Sequence, residues 1–234
     1  MKPNRPLQTI AFFAALLAGC GGRQAPEPTA SEPRSTEDGA VGDVPPLPEP
    51  EDYAAKLDSR ERYWWQQPED VVEMLRCKRG MTVVDLGSGT GYFIPYLSRA
   101  VGREGRVFAL DVDRGMVERL YERVARDRMH NVTPVIVAVD DPSLTPRSAD
   151  RILVVNTWHH LENRVEYAEK LFSALRTHGE ILIVDFDMSS PKGPPPAHRL
   201  EPTVVADELE AAGFAVARIV ENLPYQYAVR GFVR

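Results

Sequence analysis

The sequence predicts an α/β fold: a Rossmann-like open sheet, mostly parallel, with helices on both faces and an antiparallel hairpin at its C-terminal end. Three observations predict it. Five short runs rich in Val and Ile carry almost no polar alternation, which suits strands buried on both faces. Helical periods fall between these runs, so strand and helix alternate, and right-handed crossovers keep successive strands parallel. The last two strand-like runs are joined by a link too short for a crossover, which only antiparallel neighbours allow.

Taken in order, Gln67-Pro68 opens a helix, because proline suits its first turn. Val71, Val72, Met74 and Leu75 supply its apolar face, and Gly80 ends it. The strand runs are residues 81–86, 106–112, 133–139, 151–156 and 180–186, with helical patterns at 92–101, 114–128 and 163–176. Residues 204–214 form a last helix ended by Gly213, and the closing pair of strands turns around residues 222–224.

The N-terminus begins differently. Lys2 and Arg5 precede an apolar stretch at residues 7–18 and a run of small residues, the layout of a secretory signal that is too short to span a bilayer. Leu17-Ala18-Gly19-Cys20 resembles the bacterial lipobox, which implies a diacylated Cys20 at the mature N-terminus. The expected organisation is a lipoprotein signal peptide at 1–19, a disordered tether rich in Pro and Glu at 20–50, and one folded domain at 51–234. Cys77 cannot pair with an acylated Cys20, so no disulfide framework is available. These features predict a chain anchored at the cell envelope on the periplasmic side, meeting the membrane only through Cys20. A cytoplasmic form would need a start downstream of the signal. No Met lies between Met1 and Met74, and Met74 is already inside the first helix, so that start would use a non-Met codon.

With 43% hydrophobic and 26% charged residues the 234-residue chain has the mix of a soluble globular protein, and a net charge of -6 gives no bulk attraction to nucleic acid. Its chemistry centres on VVDLGSGTGYF, where Asp85-x-Gly87-x-Gly89-x-Gly91 joins the first strand to the next helix at the carboxyl end of the sheet. The dinucleotide fingerprint needs a glycine at the position of Tyr92, and no Gly-Lys-Ser/Thr is present for a nucleotide phosphate. Asp85 would repel a phosphate and attract an ammonium or sulfonium group. About twenty residues on, Asp111 ends the second strand, where a carboxylate can accept both hydroxyls of a ribose. A cationic amino-acid tail and an adenosine together describe S-adenosylmethionine.

The order DLGSGTG, LDVD, VDDP, NTWHHL and GEILIVDF across residues 67–234 resembles the class I S-adenosylmethionine-dependent methyltransferases, most closely those acting on small molecules and quinones. The resemblance implies that Asp85, Gly87, Ser88, Gly89 and Gly91 wrap the methionyl part of the cofactor and that Asp111 holds its ribose. It implies that Asp140 or Asp141 meets the adenine amino group, that Asn156 faces the methionyl amine, and that Tyr92 and Val112 are walls. Asp113 reads as a helix N-cap.

Methyl transfer relies on alignment and exclusion of water, and a general base is optional. His159, His160 and His198 are the candidates, and since adjacent side chains point different ways, at most one of His159 and His160 faces the methyl. The Pro-rich loop at 187–202 matches the acceptor lid of the family, and Tyr63, Trp64 and Trp65 either cover the ligand or pack on the core. The implied partner is a small-molecule methyl acceptor met by a monomer. Nucleic acid is disfavoured because Asn156 is not followed by Pro-Pro-aromatic and the chain is acidic. Asp185, Asp187 and Asn156 echo a magnesium site only in part, so no metal is expected. Two other readings stand beside the enzyme: an exported lipoprotein that binds the cofactor or a nucleoside without transfer, and a dehydrogenase-like protein, against which Tyr92 argues.

Overall fold

The computed structural model describes residues 59–219 and 223–234. The expected signal peptide, Cys20 and the tether lie outside the described residues. Seven strands form a single sheet in the order β3-β2-β1-β4-β5-β7-β6. They are β1 (Thr82–Leu86), β2 (Arg106–Asp111), β3 (Val132–Ile136), β4 (Ala149–Val155), β5 (Leu175–Phe186), β6 (Ala215–Ile219) and β7 (Gln226–Phe232). The first five are mutually parallel, and β7 runs antiparallel between β5 and β6, so the expected hairpin is present with its second strand placed inside the sheet.

Alternate residues of each strand feed two cores. Val84, Leu86, Ile152, Val154 and Ile183 face the cluster under α5 (Arg164–Ala174) and α6 (Pro202–Ala211), whereas Val83, Val107, Leu153 and Val184 face the cluster under α2 (Pro68–Met74), α3 (Ile94–Val101) and Leu120 of α4 (Arg114–Arg126). This double burial is why the strands read as continuous apolar runs. Each such side chain stabilises the fold by roughly 1.5–3 kcal/mol. Cys77 sits half-buried just after α2, and burial pushes its thiol up to about 12.

Several boundaries differ from the sequence reading, each for a local reason. The segment ahead of the expected first helix forms its own helix, α1 (Arg60–Gln66), which breaks from α2 at Gln67 in the left-handed region, φ 46°. α2 ends at Met74 well before Gly80, whose N–H bonds the Val101 carbonyl instead. β3 stops at Ile136 because the chain turns back in a bridge between Ala138 and Asp141. β5 starts at Leu175, directly after α5, with an irregularity in its register against β4. α3 begins at Ile94, so Gly91 belongs to the loop before it.

The chain leaves β1 for β2 and β3 on one side and returns to β4 on the other. The strand order therefore reverses at β1, and a crevice opens beyond the carboxyl ends of β1 and β4, where open α/β sheets take ligands.

Candidate active site

A cavity of about 420 Å³ occupies this crevice. Its rim is set by the glycine loop, which backbone bonds tie to the end of β2. The N–H groups of Gly87 and Ser88 both donate to the Leu110 carbonyl, at 2.8 and 3.0 Å. Gly89 N–H donates to Asp111 Oδ2 at 2.7 Å and Asp113 N–H to Asp111 Oδ1 at 2.9 Å, so one carboxylate shapes the loop while its remaining lone pairs serve the cavity. A Cβ at Gly87 (φ +72°) would collide with the Thr157 side chain, and one at Gly91 (φ +82°) with Leu120. The first glycine lets β4 approach the loop, and the second lets α4 do so. Asp113 caps α4, its Oδ1 accepting from Met116 N–H at 2.9 Å.

Two carboxylates share this space. Asp85 is buried, and burial, with the Asp111 charge adding to it and Arg62 opposing, pushes its pKa up to about 7. Burial also raises Asp111, against the hydrogen bonds from Asp113 and Gly89. A cation entering here relieves both. Among the described residues Ser88 Oγ and Tyr92 Oη are buried without a hydrogen-bond partner, which is unusual in a protein interior and marks atoms available to a ligand. Val112, Met116, Val137 and Val139 make the apolar wall on the β2 and β3 side. Two carboxylates, a serine hydroxyl without a partner among the described residues and an apolar wall fit a sulfonium amino acid joined to a nucleoside.

The fold brings Asp85, Gly87, Ser88, Gly89, Asp111, Val112, Asn156 and His160 to the cavity. Gly91, Asp140, Asp141, His159 and His198 lie outside its lining. Gly91 is a packing position. Asp140 and Asp141 are exposed, because the turn after Ala138 carries them past the end of β3. The Asp140 carbonyl accepts from Lys170 Nζ at 2.7 Å and Asp141 Oδ1 from Ser143 N–H at 2.7 Å. Val137, Val139 and Tyr167 line the cavity, and the charges of Asp141 and Asp140 add to burial in raising the Tyr167 hydroxyl.

The paired histidines divide as their opposite directions require. His159 Nδ1 lies 2.8 and 2.9 Å from the two oxygens of Asp185, and its side chain is buried. His160, with its ring 4.1 Å from that of His159, reaches the cavity mouth. Desolvation, and then the neighbouring His159, hold its pKa below the ordinary histidine range. His198 is exposed on a short 3₁₀ turn, Pro196–His198. Asp185 is engaged by His159, and Asp187 Oδ1 accepts the N–H and hydroxyl of Ser189. Among the described residues no group of three His, Cys, Asp or Glu could hold a metal ion.

The sequence reading missed the contribution of α1. Arg62 is buried and lines the cavity, with its guanidinium 4.1 Å from the centroid of the Tyr92 ring. Its Nε donates to Gln66 Oε1 at 3.2 Å. Gln66 bonds Gln226 and Asn156, and Gln226 bonds Asn156, so three amides close a buried ring between α1, β4 and β7. Asn156 adopts φ +55°, which asparagine tolerates better than most residues. An arginine within an aromatic run, ERYWWQQP, was the only available signal.

A family model described as a methyltransferase domain matches residues 83–179. A solved S-adenosylmethionine-dependent methyltransferase from Aquifex aeolicus is 32% identical, with a TM-score of 0.75, and the match covers 80% of this chain and 99% of that one. A ubiquinone/menaquinone biosynthesis C-methyltransferase UbiE of Hydrogenovibrio crunogenus is 25% identical over 121 residues, 49% of this chain and 46% of that protein. The chain thus spans about half the length of the curated relatives it matches. A phosphoethanolamine N-methyltransferase 2 from Haemonchus contortus, solved with S-adenosyl-L-methionine, shares the fold at 16% identity and a TM-score of 0.59, over 71% of this chain and 42% of that one. With its glycine loop, its strand order and its near full-length match to the Aquifex structure, this chain belongs to the S-adenosylmethionine-dependent methyltransferases.

Proposed function

We propose that the protein transfers the methyl group of S-adenosylmethionine to a small-molecule acceptor that approaches past His160. The observation that carries this reading is the convergence of Asp85, Asp111 and the unpartnered Ser88 hydroxyl on one cavity at the strand-order reversal. The bound cofactor would supply a methyl carbon already activated by a sulfonium. Asp85 attracts the cationic end, Asp111 accepts the ribose hydroxyls, and Val112, Val137 and Val139 flank the base. The adenine would lie against these apolar side chains, with the charges of Asp140 and Asp141 close enough to act on Tyr167 in the same wall. His160, whose neutral form desolvation favours, is able to accept a proton from an acidic acceptor. His159, held by Asp185, positions the turn.

The UbiE relatives make a quinone-type ring the first acceptor to try, and the aromatic group of Trp64, Trp65, Phe186 and Tyr225 suits a flat apolar molecule. We place the protein at the envelope, as a monomer anchored through Cys20. A lipid tether would then hold it where such acceptors dissolve. The test is transfer of labelled methyl from S-adenosylmethionine to demethylated quinones and to fractions of membrane extract. Label appearing in an organic product, abolished by Asp111→Ala, supports the reading. Tight cofactor binding without label in any fraction would instead point to a binding protein. For the anchor, Cys20→Ser is expected to release the chain from membranes, and a variant that stays bound overturns it.

A further inference from the structure

We propose that the outer face of α1, carrying Tyr63 and Trp64, docks on the surface of a lipid bilayer, a second membrane contact beside the anchor at Cys20. The inference rests on the envelope placement given above. Tyr63 and Trp64 are 53% and 51% exposed, on a helix whose opposite face is buried through Arg62, Trp65 and Gln66. Tyr225 packs edge-on against Trp64, with ring centroids 5.3 Å apart, yet leaves half of the indole open. The other two tryptophans of the chain, Trp65 and Trp158, are buried. Arg60 precedes Tyr63 and Trp64 by three and four positions, so it shares their face, and it too is exposed.

Tryptophan and tyrosine each join a large apolar ring to one polar atom, and they gather where the hydrocarbon of a bilayer meets its headgroups. An arginine on the same face keeps its charge at the headgroups while its stem lies along apolar surface. The point at which the rest of the chain joins the domain selects this occupant. Residues 1–58 enter at Ser59, immediately before α1, so a lipid on Cys20 connects to the domain at the helix that bears the exposed rings. Such a tether raises the local concentration of the bilayer at that face, and a contact of two rings is then enough. Bulk charge does not select the surface, because the chain carries a net charge of -6 and Glu61, Glu69 and Asp70 are exposed on α1 and the start of α2. The contact therefore rests on the rings. Docked in this way, α1 would have lipid on one face and the cavity, which Arg62 lines, on the other, a short path for an acceptor dissolved in the bilayer.

The test is tryptophan fluorescence of the full-length protein on vesicles of phosphatidylcholine whose acyl chains carry bromine, a quencher that acts on contact. Mass spectrometry of the same preparation reports whether Cys20 is acylated. The protein is expected to lose the Trp64 share of its emission on the brominated vesicles and to keep it on unbrominated ones. Trp64→Phe is expected to remove most of that loss, since Trp65 and Trp158 are buried. An acylated chain held on the vesicles with Trp64 unquenched overturns the docking face and leaves the anchor in place. A chain without acyl groups that is still quenched through Trp64 supports the docking face and overturns the anchor instead; a chain with neither overturns both. In the Cys20→Ser protein without lipid, iodide is expected to reach Trp64. Shielding from iodide there overturns the proposal, in favour of a second copy if the mass by light scattering is doubled and of residues 1–58 folded back on α1 if it is not.

Discussion

The two ends of the cavity are built from different kinds of sequence. The nucleoside end comes almost entirely from one segment, where β1, the glycine loop, β2 and the cap of α4 follow each other and are bonded through Asp111. The amino-acid end is assembled from α1, the end of β4 and the start of β7, with Gln66 and Gln226 in contact although 160 positions apart. The first end is local and rigid because backbone bonds define it. The second depends on side-chain amides meeting across the fold, so it fails through lost packing and unpaired polar groups. The crevice is thus bounded by a loop that a short motif encodes and by a network that no short motif can.

The largest effect should come from breaking both ends at once. Gly87→Val puts a branched side chain at a positive φ and into Thr157, which joins the glycine loop to β4. Loss of roughly 3 kcal/mol or more in cofactor affinity, over a hundredfold by titration, is expected. Next, the nucleoside end alone is probed by Asp111→Asn. The amide keeps one acceptor but loses the charge that holds Gly89 and the ribose, at about 1.5–3 kcal/mol. Methylthioadenosine should suffer as much as S-adenosylmethionine; a loss confined to the latter would show that the ends are not separable in this way.

Gln226→Leu makes the complementary break. It leaves the Asn156 and Gln66 amides short of a buried partner, and thermal or denaturant unfolding should show a loss of about 1–3 kcal/mol. S-adenosylmethionine should weaken more than methylthioadenosine. Equal weakening would argue that the amide ring supports the whole crevice.

Asp85 sharpens the comparison through pH. Its pKa in the ligand-free fold, about 7, lies above the ordinary aspartate value near 3.9. The folded state therefore holds a proton that the unfolded state has released between those values. The stability it contributes is complete below about 4 and is lost as pH rises through about 7. Asp85→Asn should accordingly raise the melting temperature of the ligand-free protein at pH 8 more than at pH 5. Binding a cation has the opposite dependence, because it requires the ionised form. Affinity for S-adenosylmethionine should rise by about fivefold between pH 6 and 7 and level off above about pH 8, and the variant should flatten the profile. The smallest effect is expected at the exposed pair of Lys192 and Glu61, 2.9 Å apart between α1 and the Pro-rich loop. Lys192→Ala should change stability by less than about 1 kcal/mol.

Much of this architecture was legible beforehand, and the parts that were not share a cause. Val83, Val84, Ile152 and Ile183 could be placed in strands because burial on both faces leaves a continuous apolar run. Gly87 and Asp111 could be placed at the crevice because a tight turn and a strand-end carboxylate are local devices. α1 was missed because a seven-residue helix, whose Ser59 makes no capping bond, is too short to show a period. Asp140 and Asp141 follow a strand that stops earlier than its sequence pattern suggests, so both are exposed, although their charges still reach Tyr167 in the cavity wall. The histidine pair could be divided in principle from the sequence, but only Asp185, arriving on β5, decided that His159 is the buried member.

By itself, then, the sequence determined the strand and helix order, the bare turn behind Asp85 and the carboxylate that ends β2, because each depends on neighbours in the chain. Tertiary structure decided that Arg62 enters the cavity, that His160 reaches its mouth and that three amides close beneath it. Those contacts join segments far apart in the chain, and their energies come from burial and hydrogen bonding that exist only once the sheet has brought the segments together.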